Sequence, residues 1–258
     1  MKAKKIIILI LIFLLLGVGG YSGYRVYKIQ SDYNASENEY EILSTEYVKP
    51  VEIKPEDPAE EPQVEFSIDY EGLKAKNGDF QGWMVAEGIK VNLPVMRTNN
   101  NDYYLHRTFE GEWRFAGSLF IDYRFQGLDD PYIIIYGHNM KNNTMFGRLA
   151  NYRNEDFYKQ WPTIKIYENG RVFNYDVFSF FDTTTDSKVY TYAFADKAAL
   201  KDQFNWLKSK SYWHTDVEFN EWDKIIVLST CMHSTGNQRW VLAAKLSSIE
   251  YLDNIVNN

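Results

Sequence analysis

The chain has 258 residues, 45% of them hydrophobic and 17% aromatic, and a formal charge of −7. Setting aside Lys2, Lys4 and Lys5, which precede an apolar segment, leaves 25 basic against 35 acidic residues, a body charge of −10. Phosphate binding needs a basic face, so this acidic body argues against nucleic acid as a partner.

After residues 1–5, a basic tail, residues 6–24 form an uncharged stretch of 19, long enough to span a bilayer as a helix. Basic residues before it favour a cytoplasmic N-terminus, with the remainder outside. Gly17, Gly19, Gly20 and Ser22 would instead suit a cleaved signal peptide, but the apolar run is long and no A-x-A pattern is present, so a retained anchor is expected. Residues 25–65 read as a stalk. Pro50, Pro55, Pro58 and Pro62 fall among Glu52, Glu56, Asp57, Glu60 and Glu61, and proline with like charge stiffens and extends a segment. At most a short local helix is expected near SENEYEIL.

The globular pattern runs over residues 66–258. IDYEGLKAKNGDFQGWM carries apolar residues at helical spacing, broken by Asn77-Gly78 and Gly82. Short alternating runs follow: KVNLPVM, AGSLFIDY, PYIIIYG, TIKIYENG, RVFNYDVFSFF, KIIVLST and RWVLAAKL. The turn at Asn169-Gly170 predicts a hairpin, and FADKAALKDQFNWLKSK predicts a helix between strands. The expected fold is mainly β, a closed or nearly closed barrel with peripheral helices.

The only cysteine, Cys231, ends the apolar run IIVLST. It cannot form an internal disulfide, so it is either a small buried hydrophobe or a nucleophile whose base comes from elsewhere. Alternation places Ile225, Val227, Ser229 and Cys231 on one strand face and Ile226, Leu228 and Thr230 on the other. Of four histidines, His138 stands at the exit of an apolar strand, after Gly137, as Cys231 stands at the exit of its own. Arg239 opens the following strand, so strand geometry sets Cys231 and Arg239 at one rim. His233, two residues from Cys231, is the rival base, while His106 and His214 are read as surface or packing residues. A thiolate attacks, an imidazole takes and returns a proton, and a guanidinium can hold an oxyanion.

YGHN, MFGRL, VLSTC and R-x-V-x-A-x-K-L, in that order, resemble the sortases, most closely those of class B, and NNNDYYLHRTF and AGSLFIDYR agree. The resemblance runs from about Phe66 to Leu246. It implies an eight-stranded barrel with N-terminal helices and a helix inserted in the long loop before the cysteine strand. It also implies a membrane-bound cysteine transpeptidase that cleaves a C-terminal sorting signal after Thr and joins the protein to a peptidoglycan cross-bridge amine. Cys231 would then be the nucleophile, His138 the general acid/base and Arg239 the group that orients substrate and steadies the oxyanion. Ser229, Thr230, Tyr136 and Asn101 would line the substrate groove, with Thr185 in the loop that begins at Thr183. Met232 and His233 stand where some class B members carry a carboxylate, and neither a cofactor nor a metal is expected. The alternatives are another exported thiol enzyme of the wall, such as an L,D-transpeptidase or a wall peptidase, and a non-catalytic anchored wall-binding module.

Overall fold

A computed structural model describes residues 2–53, 63–220, 223–232 and 236–252. Eight strands close into one barrel: β3 (Phe80–Ala86), β4 (Val91–Met96), β5 (Leu119–Ile121), β6 (Tyr132–Tyr136), β7 (Thr163–Glu168), β8 (Arg171–Thr184), β9 (Ile225–Cys231) and β10 (Gln238–Tyr251). Their order around the wall is β10-β8-β7-β3-β4-β5-β6-β9, closed by β9 against β10. Closure removes the exposed edges that an open sheet would present. Phe173, Tyr175, Phe178, Phe180, Ile134 and Leu228 are among the side chains sealed inside, which is where the heavy aromatic load goes.

The β7–β8 hairpin turns at Asn169 and Gly170, both at positive φ, and Glu168 pairs with Arg171. Two successive positive-φ positions are what a two-residue hairpin of the right twist requires. Helix α4 (Lys197–Lys210) lies in the connection between β8 and β9, where a helix was expected. Asp196 caps its start by accepting from Ala199 N, and Leu200, Phe204 and Leu207 form its buried stripe.

Two expectations are corrected. Helical spacing over IDYEGLKAKNGDFQGWM holds only for α2 (Tyr70–Lys76); Phe80–Ala86 is the barrel strand β3, inserted between β4 and β7. Six of the seven β3 residues are buried, so two-sided burial erased the alternation that would have revealed it. The stalk is also not as read. Helix α1 runs unbroken from Lys2 to Tyr47, and Ser36, Tyr40 and Leu43 are buried against the barrel domain. Next, β1 (Val48–Ile53) pairs with β2 (Gln63–Ile68), with Pro50 opposite Phe66. Buried Glu65 of β2 accepts from Lys165 and Tyr167 of β7, tying the hairpin to the barrel. Pro55, Pro58 and Pro62 lie outside the described residues.

The Tyr40 hydroxyl donates to the Gly117 carbonyl at 2.6 Å and lies 3.0 Å from Ser118 Oγ. Tyr40→Phe strands that buried carbonyl, an expected cost of about 1–3 kcal/mol. A lower thermal midpoint for the full chain in detergent would register it; an unchanged midpoint would show that α1 does not brace the domain.

Candidate active site

The barrel's strand directions decide what meets at its rim. β6 and β9 are parallel neighbours, Tyr136 facing Ser229, so both chains leave the sheet at the same end. The Gly137 amide donates to the Ser229 carbonyl at 3.3 Å, and Asn139 Nδ2 donates to the Cys231 carbonyl at 2.9 Å. These bonds extend the register past the strand and set His138 level with Cys231. Gly137 is needed for space rather than for its φ: a Cβ there would lie 2.5 Å from Leu119 Cδ2 and 2.8 Å from Phe146 Cδ2. Antiparallel β10 begins at the same rim, with Arg239 directly opposite Cys231. Thr183 of β8 lies on the far side of Arg239, and Thr185 N donates to the Asn237 carbonyl.

The Cys231 thiol is half-buried, neither sealed in the core nor fully exposed. His138 is half-buried as well. Its ring packs in a three-ring cluster with Phe115, centroids 5.6 Å apart, and His106, at 5.5 Å, and those two rings are themselves 6.3 Å apart. Its Nε2 is 2.7 Å from the Leu105 carbonyl. A carbonyl only accepts, so Nε2 carries the proton and Nδ1 is the nitrogen with a free lone pair. Burial pushes the His138 pKa below the ordinary imidazole value; the Leu105 bond opposes this and His106 adds to it. The guanidinium of Arg239 donates through Nη1 to the carbonyls of Gly236 and Gln238.

The residues expected to line a groove are placed unevenly. Ser229 is buried, its Oγ 3.0 Å from the Tyr190 hydroxyl, and Thr230 is buried with no hydrogen-bond partner for its hydroxyl among the described residues. Tyr136 donates to the buried carboxylate of Asp122 at 2.9 Å, which Arg124 also grips through Nε and Nη2. Burial opposes the charge on Asp122, but the bonds from Arg124 and Tyr136 outweigh it and hold its pKa below the usual value. Asn101 accepts from Tyr123 N at 2.9 Å. Thr185 is exposed and lines an open depression of roughly 600 Å³ with Asp186, Ser187, Lys188, Tyr190 and Tyr192. Thr185 and Asn101 therefore reach the surface, whereas Ser229 sits behind Tyr190 and Thr230 is buried on the other face of the strand.

Three neighbours escaped the sequence reading. Tyr190 couples the depression to the rim: burial raises its pKa, while Ser229 and Arg239 lower it and Cys231 raises it further. Asn139 clamps the Cys231 carbonyl, and the YGHN motif held that signal. His106, read as a surface or packing residue, packs on His138 itself; 32 positions separate them, and no local pattern could join them. His214 is exposed beside Asp216, and His233 lies outside the described residues.

A single thiol at the rim of a closed barrel, with an imidazole just past the end of the parallel neighbour strand and a guanidinium on the antiparallel one, offers the residue types that thiol acyl transfer needs. Residues 84–247 match the sortase domain family. Sortase B of Listeria monocytogenes is 37% identical over 162 residues, covering 62% of this chain and 65% of that protein. Sortase B of Staphylococcus aureus is 28% identical over 257 residues, covering 96% of this chain and 99% of its own length. The X-ray structure of Clostridium perfringens sortase B superposes with a TM-score of 0.65 at 31% identity, over 69% of this chain and 99% of that one. The chain belongs to the sortase family of cysteine transpeptidases, in class B.

Proposed function

We propose that this chain cleaves a C-terminal sorting signal after Thr and transfers the new acyl group to a peptidoglycan cross-bridge amine. The observation that supports it most is the register that brings His138, Cys231 and Arg239 to one rim. In this reading Nδ1 of His138 takes the thiol proton, and the thiolate attacks the Thr carbonyl carbon. Arg239 turns from its own loop carbonyls to the oxyanion. Collapse breaks the C–N bond, the imidazolium protonates the departing amine, and a thioester to Cys231 remains. The acceptor amine then attacks the thioester, His138 takes its proton, and the thiol is restored. Water competes at this second step, so slow hydrolysis accompanies transfer. The depression walled by Thr185, Tyr190 and Tyr192, beyond Arg239, is the side proposed for the sorting signal. Residues 6–24 would anchor the chain with its N-terminus inside and residues 66–258 outside at the cell surface, where the surface proteins and the wall amine are found.

The test is mass spectrometry of the full chain with sorting-signal peptides, with and without added amine. Cleavage, a one-to-one adduct on the enzyme and an amine-extended product are expected; an uncleaved peptide library would overturn the reading. In the same assay Arg239→Lys is expected to lose about 10²–10³ in rate, because a compact ammonium does not reproduce the planar fork. A near-normal rate there would reassign Arg239 to structure.

The depressed His138 pKa predicts a pH profile. The neutral imidazole is the form that accepts the thiol proton, so the acid limb should fall below the ordinary imidazole value of about 6.5. His106→Phe keeps a stacking ring and removes the neighbouring charge that disfavours protonated His138. Protonation then becomes easier, and the acid limb should move to higher pH. A limb that stays in place would mean that the His106 charge does not reach His138.

A further inference from the structure

We propose that Trp113 and Phe115, in the loop between β4 and β5, rest on the lipid headgroup surface from which α1 emerges. This inference depends on the anchor reading of α1. The helix is continuous from the apolar segment into the globular domain, so the distance between membrane and domain is set by helix geometry rather than by a slack linker. At the domain end of the apolar segment and just past it come Tyr21, Tyr24, Arg25, Tyr27 and Lys28, and the three tyrosines are exposed. Aromatic and basic residues in adjacent turns mark the level of the membrane–water interface.

The domain's contacts along α1 are ordered. Asp32 comes first, accepting from the Phe115 amide at 3.0 Å and facing Arg114 at 3.9 Å. Glu37 then accepts from Asn142, Glu39 accepts from the Glu110 amide, and Tyr40 donates to Gly117. Residues 114–115 are thus the anchor-ward end of the loop. At ~1.5 Å per helical residue, Asp32 lies about 12 Å beyond Tyr24 and about 6 Å beyond Lys28. Trp113 is 61% exposed and Phe115 48%, high values for large aromatic side chains. They flank the imidazole stack, Trp113 at 5.6 Å from His106 and Phe115 at 5.6 Å from His138. An exposed tryptophan is better accommodated at the headgroup level than in bulk water. Glu112 and Arg114, between and beside these rings, suit headgroups but not hydrocarbon, which limits the contact to the interface. The His138 side of the rim is thereby held at the membrane surface.

The experiment is fluorescence of the full chain reconstituted in phosphatidylcholine–phosphatidylglycerol vesicles carrying a headgroup-level nitroxide lipid. The wild type should lose up to one tryptophan's share, out of seven, of its emission. Trp113→Phe, at an exposed position where folding is not at stake, should abolish that loss. Equal quenching in both proteins, or none in either, while the chain floats with the vesicles, would overturn the contact. Failure of the chain to float would sink the anchor reading instead, and this inference with it.

Discussion

Cys231→Ala should reduce sorting-signal cleavage to background, a loss of roughly 10⁴-fold or more. The chain has no second thiol to take over. The two hydroxyls that precede it on β9 are not placed to substitute either: Ser229 is buried against Tyr190, and Thr230 is buried on the other strand face. Hydroxyls are also far less acidic than a thiol, so Cys231→Ser should fall nearly as far. The thiol is half-buried at the end of β9, so its removal should leave thermal stability almost unchanged. The paired measurement is labelling of the folded chain with a methanethiosulfonate reagent, expected once per wild-type molecule and not at all in Cys231→Ala. Cleavage persisting in Cys231→Ala would remove the proposed mechanism, and an unlabelled wild-type thiol would favour a packing role.

His138→Gln is the second large effect, about 10²–10⁴ in kcat/KM. Glutamine can still donate a hydrogen bond to the Leu105 carbonyl, so the side chain's position is roughly kept while its titratable nitrogen is lost. The acid limb of the pH profile should disappear with the rate. That separates proton transfer from simple disturbance of the stack with Phe115 and His106, which would lower the rate and keep the limb. Activity close to wild type, with the limb intact, would move the base to another histidine.

Local patterns carried much of this protein. The alternating runs that became β4 to β10, the Asn169-Gly170 turn and the capped α4 each depend on residues within a few positions of one another. The isolated cysteine at a strand end, and an arginine on the strand returning beside it, are equally local, since an antiparallel return places Arg239 opposite Cys231 without help from the rest of the chain.

The parallel pairs, in contrast, needed the whole fold. Tyr136 and Ser229 are 93 positions apart, and only barrel closure decides that β6 lies beside β9 and carries His138 to the cysteine. The same holds for His106 against His138, and for Tyr190 covering Ser229. Strand β3 was hidden because burial on both faces removes the period that marks a strand. The second half of α1 looked like a spacer because its buried residues are few, and their partners, Gly117 and Ser118, are more than 70 positions away. Sequence by itself determined where the sole thiol stands and the elements that hold it, since those follow from spacing along one chain. The tertiary structure alone decided that the strand leading to His138 lies beside the cysteine strand, that Tyr190 covers Ser229 and that α1 braces the domain, because such contacts exist only once distant segments are packed together.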